Sequence, residues 1–192
     1  RDVLDFVPQI AEALEHAQVV GDSPLIGFVR QDLARVLLEQ GRIDEGADQL
    51  ARSDDILRDR TEAQAVSRGT RLHAIIESFR GEDDAALGYL RRGVEPAFAS
   101  GVNADPWSFL DLLSLLAARG ETDQIVQLVM ELEARGTSPS IQAVVAVGRG
   151  LAEPDPTERS HLLTRATDIL AERGIQVQLG RVLLLLATSL EG

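Results

Sequence analysis

The sequence predicts an all-α chain, a stack of antiparallel helical hairpins, from three observations. First, three elbows recur about forty residues apart: Leu37-Leu38-Glu39-Gln40-Gly41-Arg42-Ile43-Asp44-Glu45-Gly46, Ser78-Phe79-Arg80-Gly81-Glu82-Asp83-Asp84-Ala85-Ala86 and Leu115-Leu116-Ala117-Ala118-Arg119-Gly120-Glu121-Thr122-Asp123. In each, an apolar helical run stops at a glycine and an acidic residue opens the next run. Glycine just past a helix end adopts the left-handed conformation at little cost, and a carboxylate in a first turn faces the positive end of the helix dipole. Second, apolar residues recur three and four apart, and no window alternates with the two-residue period of a strand. Third, 44% of the residues are apolar but only Phe 5, Tyr 1 and Trp 1 are aromatic, so Leu, Ala and Val must fill the core. That palette suits helices. A period of this length marks stacked helical repeats.

About ten helices follow in order. The first spans Val7 to Val20, with Pro8 tolerated in its opening turn. Gly21-Asp22-Ser23-Pro24 supplies a break, a cap and a proline start for the second, which runs to Gln40. The third spans Asp44 to Leu57, and the fourth Glu62 to Arg80 with Thr61 as its cap. The fifth runs from Asp83 to about Glu95, where Pro96 is expected to end it, and Ser100-Gly101-Val102-Asn103 reads as a loop. Asp105-Pro106 starts the sixth, which ends near Arg119. The seventh spans Thr122 to Arg135 and stops at Gly136, and Ser138-Pro139 opens an eighth that fades at Gly148 to Gly150. After Glu153-Pro154-Asp155-Pro156-Thr157, the ninth covers Glu158 to Arg173 and the tenth Ile175 to Leu190. The sixth carries one apolar stripe (Leu110, Leu113, Leu116, Ala117), the seventh another (Ile125, Leu128, Val129, Leu132) and the ninth a third (Leu162, Leu163, Ala166, Ile169, Leu170). With connections this short, each stripe has only neighbouring helices to bury it.

The elbows support a resemblance. Leu33-Ala34, Leu37-Leu38, Gly41-Arg42-Ile43-Asp44-Glu45-Gly46 and then Leu50 resemble the tetratricopeptide repeat, although Gly46 stands where that family has Ala. The second copy matches in Gly81, Asp84, Ala86 and Leu90 and departs at His73 and Glu77. The third matches in Leu112-Leu113, Leu116, Gly120, Asp123 and Val129, with Phe109 at an aromatic position of the family. The resemblance implies a right-handed α-solenoid over one domain, residues 1–192. Its approximate repeats are 24–59, 61–99, 105–136 and a degenerate 139–173, with a terminal helix at 175–190. The C-terminal stretch from Leu162 to Ala187 resembles helical repeats of large bacterial regulators, which follow an ATPase module. Arg1 stands where a start methionine would, and the tenth helix is apolar almost all round. Both observations lead us to expect a piece of a longer protein.

Composition narrows the function. A net charge of −12 and a pI near 4.6 repel phosphate, so direct nucleic-acid binding and docking on anionic membrane are not expected. The basic residues are all arginine. No apolar run approaches the roughly 20 residues of a membrane span. Without cysteine there is no disulfide frame or thiolate site, which fits a cytoplasmic location.

Chemistry is sparse. His16, His73 and His161 lie in separate helices without HxxxH or HExxH spacing, so no metal is expected. They read as surface or interhelix residues, with His73 on a face expected to be buried. Gly148-Arg149-Gly150 and Gly180-Arg181 lack the lysine and the strand of a phosphate loop. Ser53-Asp54-Asp55 and Glu82-Asp83-Asp84 lack calcium-loop spacing and read as caps. No catalytic residue and no cofactor are expected.

A binding face is the remaining candidate. The resemblance places the first helix of each hairpin on a concave face, where Gln31, Arg35, Arg68, Arg71, Trp107, Leu110 and Ser114 are expected to point outward. Arg68 and Arg71 would fork onto a carboxylate or phosphate, and Trp107 would anchor an apolar group. The expected function is a non-enzymatic interaction scaffold or regulatory module in a bacterial signalling or transcription-regulating protein. Its partner would be a protein, a peptide segment or another domain of the same chain. Two alternatives are a sensor of a small-molecule inducer and a homo-oligomerisation segment.

Overall fold

Capped, apolar-striped segments give ten α-helices in the computed structural model, which describes residues 6–60, 63–100, 105–135 and 138–190. They are α1 (Val7–Val20), α2 (Ser23–Glu39), α3 (Ile43–Leu57), α4 (Ala63–Phe79), α5 (Asp83–Ser100), α6 (Pro106–Ala118), α7 (Thr122–Arg135), α8 (Pro139–Ala152), α9 (Pro156–Glu172) and α10 (Gln176–Leu190). There is no strand among the described residues. Thr61, the loop after Ser100, and Gly136 lie outside the described residues.

Local chemistry sets the helix ends. Asp22 caps α2 by accepting the Leu25 N–H at 3.1 Å, and Ser138 caps α8 by accepting that of Ile141 at 3.3 Å. The glycines of the three elbows have φ of 75°, 78° and 70° at Gly41, Gly81 and Gly120. In each elbow the residue after the glycine donates back into the finished helix: Arg42 N to Leu37 O, Glu82 N to Glu77 O and Glu121 N to Leu116 O, all 2.9 Å. Gly174, with φ 66°, closes α9 in the same way through Ile175 N to Leu170 O at 3.0 Å. These are Schellman turns, which satisfy carbonyls a helix end otherwise leaves bare.

Three boundaries differ from the sequence reading. First, α5 continues through Pro96 to Ser100. Proline removes one hydrogen bond, yet its fixed φ is itself helical, so the chain keeps its course. Second, α8 continues through Gly148 and Gly150 to Ala152, because both glycines are contact points. A Cβ at Gly148 would lie 2.4 Å from Val129 Cγ2, and one at Gly150 would lie 3.1 Å from Leu163 Cγ. Third, Ser53-Asp54-Asp55 is no cap but lies inside α3. There Ser53 donates to Gly27 O at 2.9 Å, Asp54 meets His73 at 2.7 Å and Asp55 meets Arg58 at 2.7 Å.

The chain forms two compact units, Arg1–Asp105 and Pro106–Gly192. In the first, α1 packs on α2, the pairs α2–α3 and α4–α5 form antiparallel hairpins, and α4 also touches α2 and α3. Ala34, Leu38, Leu50, Leu72 and Ile76 make one buried cluster across α2, α3 and α4. Each fully buried Leu or Ile contributes about 1.5–3 kcal/mol. The departure at Gly46 has its reason here: a Cβ would sit 2.8 Å from Leu38 Cγ and 3.2 Å from the Ala34 carbonyl. In the second unit α8 packs against α6, α7 and α9, and α9 against α10. Leu113, Ile125, Val144, Leu163 and Val182 form its interior, one from each helix. Consecutive helices therefore bury one another's stripes in both units.

Candidate functional site

Four of the expected surface residues fall in the first unit and three in the second. Gln31 and Leu110 do not point outward: each is 2% exposed, so the helical register places them in the packed seam. Arg35 is taken by its own helix, donating to Glu39 at 2.8 Å. Arg68 pairs with Asp32, and Arg71 pairs with Asp105 at 3.3 Å. Burial lowers the pKa of the Arg68 guanidinium, Asp105 raises it and Arg71 lowers it. Two guanidiniums thus face two carboxylates, and the two-arginine cluster is neutralised within the chain. Trp107 is half-buried in the second unit, and the Ser114 hydroxyl donates to its own helix at Leu110 O, 2.8 Å away.

His73 is the one half-buried histidine. Its Nε2 lies 2.7 Å from Asp54 Oδ2 on α3, and its ring stacks on Tyr89 of α5 with centroids 4.8 Å apart. Arg92 covers the same tyrosine, its guanidinium carbon 4.4 Å from the ring centroid. His73 thereby ties α3, α4 and α5 together, which accounts for a polar residue where the repeat pattern expects an apolar one. His16 and His161 are exposed beside Glu12 and Glu158 at 3.8 and 3.7 Å. No group of three or more potential metal ligands occurs among the described residues.

Beside His73 a cavity of about 350 Å³ opens between α2, α3 and α4. Gln31 and Gly69 line it deep in the helix seam, Leu57, Ala65 and Val66 give it apolar wall, and Asp54, Asp55, Arg58, Arg60 and His73 bring charge and hydrogen bonding. The Gln31 Oε1 is buried without a hydrogen-bond partner. The sequence hid this site because three helices each contribute a few residues to it. The polar departure at His73 was its one signal. A second cavity, of about 210 Å³, lies between α7, α8 and α9, where Arg149 meets Glu133 at 2.6 Å.

Among the described residues of the second unit, large apolar side chains are exposed at Val126 and Met130, four residues apart on α7, and at Leu183 and Leu184 on α10. No described helix is long and apolar enough to cross a membrane. No family model matches the chain, and no curated protein matches it in sequence.

Proposed function

We propose that this chain is a non-enzymatic interaction module, a tetratricopeptide-like right-handed stack of helical hairpins that holds a protein or peptide segment for a bacterial regulator. The observation that carries this reading is the repetition of one elbow. Gly41, Gly81, Gly120 and Gly174 each close a helix with the same left-handed turn and the same backward hydrogen bond. Repeated hairpins supply continuous helix faces, and such faces serve for binding segments of other chains. Val126 and Met130 are the anchor positions on α7. Methionine adapts its shape to an apolar partner, and a net charge of −12 favours a segment flanked by basic residues.

Selection of peptides from a displayed random library tests the reading. Enriched segments should carry apolar anchors at helical spacing with Lys or Arg beside them. Their binding should fall at least tenfold in Val126→Glu or Met130→Glu while the melting temperature stays within a few degrees. A library yielding no enriched segment, or segments indifferent to both substitutions, would contradict it.

The exposed leucines of α10 favour a second reading, self-association through that helix. Light scattering at high protein concentration should then give a dimer mass that reverts to monomer in Leu184→Glu. A monomer at every concentration removes this reading.

A further inference from the structure

Gln31 sits on the inward face of α2, 2% exposed, with its side-chain oxygen unmet. A buried acceptor left in this state costs about 1–3 kcal/mol, whereas a leucine of similar size would carry no such penalty. Directly across, α4 carries Gly69, and a Cβ there would come to 3.2 Å from Gln31 Nε2. The pair keeps a carboxamide at this point and keeps space over it. Both residues belong to the lining of the cavity of about 350 Å³ between α2, α3 and α4, within the range of about 300–1,000 Å³ that small-molecule sites occupy.

The remaining lining defines the ligand. Asp54 is held by His73 at 2.7 Å and Asp55 by Arg58 at 2.7 Å, so each carboxylate already meets a partner. Among the described residues of the lining, the two carboxylates are thus matched by the two guanidiniums of Arg58 and Arg60. Neither an ammonium nor a carboxylate ligand gains an uncompensated counter-charge. Leu57, Ala65 and Val66 offer apolar wall to a flat ring. A carboxamide presents one acceptor and one donor side by side, the complement of the amide edge of a lactam, a nucleobase or another carboxamide.

We propose that the cavity between α2, α3 and α4 binds a small, neutral, planar ligand that hydrogen-bonds the Gln31 carboxamide, of the carboxamide or nucleobase class. This site does not depend on the interaction faces of the second unit, so each proposal stands or falls separately.

Titration of uracil and of nicotinamide into the isotope-labelled full chain tests it by nuclear magnetic resonance. The expected result is a saturable shift of the Gln31 side-chain amide and of α2–α4 backbone amides with at least one probe. Gln31→Leu should weaken that binding at least tenfold while helical content is unchanged. Gly69→Ala, which encroaches on the amide, should weaken it as well and serves as the readout if Gln31→Leu fails to fold. No saturable shift with either probe up to about 10 mM, a concentration that reveals even millimolar affinity, would overturn the proposal. Equal affinity in the wild type and both variants would overturn it too.

Discussion

Ser53 on α3 donates a 2.9 Å hydrogen bond to the carbonyl of Gly27 on α2, where the helix carries no Cβ. The buried hydroxyl is satisfied only because the two backbones approach this closely, and they do so because Leu57, one turn on, fills the space over the glycine. Specific small residues thus set the spacing of the α2–α3 hairpin.

Gly27→Ala therefore reverses the usual rule. In an open helix the change gains up to about 1 kcal/mol. At Gly27 the new Cβ would lie 2.6 Å from Leu57 Cγ, a branch point that cannot swing aside freely. Overpacking of this kind costs about 1–3 kcal/mol, so a net loss near 1 kcal/mol or more is expected in urea denaturation. Gly88→Ala on α5, with no atom within 4 Å of its Cβ, should instead be stabilising by about 0.5–1 kcal/mol.

The Arg71–Asp105 pair lies largely inside, its side chains 11% and 17% exposed. Removing the cation alone leaves a carboxylate in poor solvent. Breaking a fully buried pair costs about 3–5 kcal/mol, and partial exposure brings the expectation for Arg71→Met to about 2 kcal/mol. Adding Asp105→Asn should recover most of that loss in the same denaturation assay. Strictly additive losses would show that the two side chains do not depend on each other.

Asp155 caps α9 by accepting the backbone N–H groups of Glu158 and Thr157 at 3.1 and 2.8 Å. These bonds hold its carboxyl below the ordinary 3.8, so the cap stabilises the fold above that value. The contribution fades as the pH falls through the folded value. The melting-temperature difference between wild type and Asp155→Ala should be full at neutral pH and vanish in strong acid. Asp155→Asn, which caps without titrating, should show no such dependence.

Helices and elbows were legible because their signals are local. Gly41 and Gly81 announce a helix end within three residues, and Leu33 through Leu38 declare one apolar face. Contacts between helices were not local. Gly148 looks like a helix breaker until Val129 is seen against it, and Ser53-Asp54-Asp55 looks like a cap until Gly27 and His73 supply its partners. Gln31 was expected on a surface because a stripe in sequence has no absolute direction. Only the packing of α4 turns it inward, and the same packing makes the cavity beside it.

The proposed binding role depends on the pairing of consecutive helices, and an engineered disulfide tests that pairing most directly. A Cβ at Gly93 on α5 would lie 3.3 Å from Thr70 Cβ on α4. That is a few tenths of an ångström inside the roughly 3.5–4.5 Å that a disulfide spans, so a small shift of α5 lets the bond close. The natural chain has no cysteine to compete. Thr70→Cys with Gly93→Cys should oxidise to one intramolecular bond while the helical circular dichroism is retained, and Thr70→Cys with Gly88→Cys should not. Failure of the first pair to close, or equal closure of both, would contradict the hairpin.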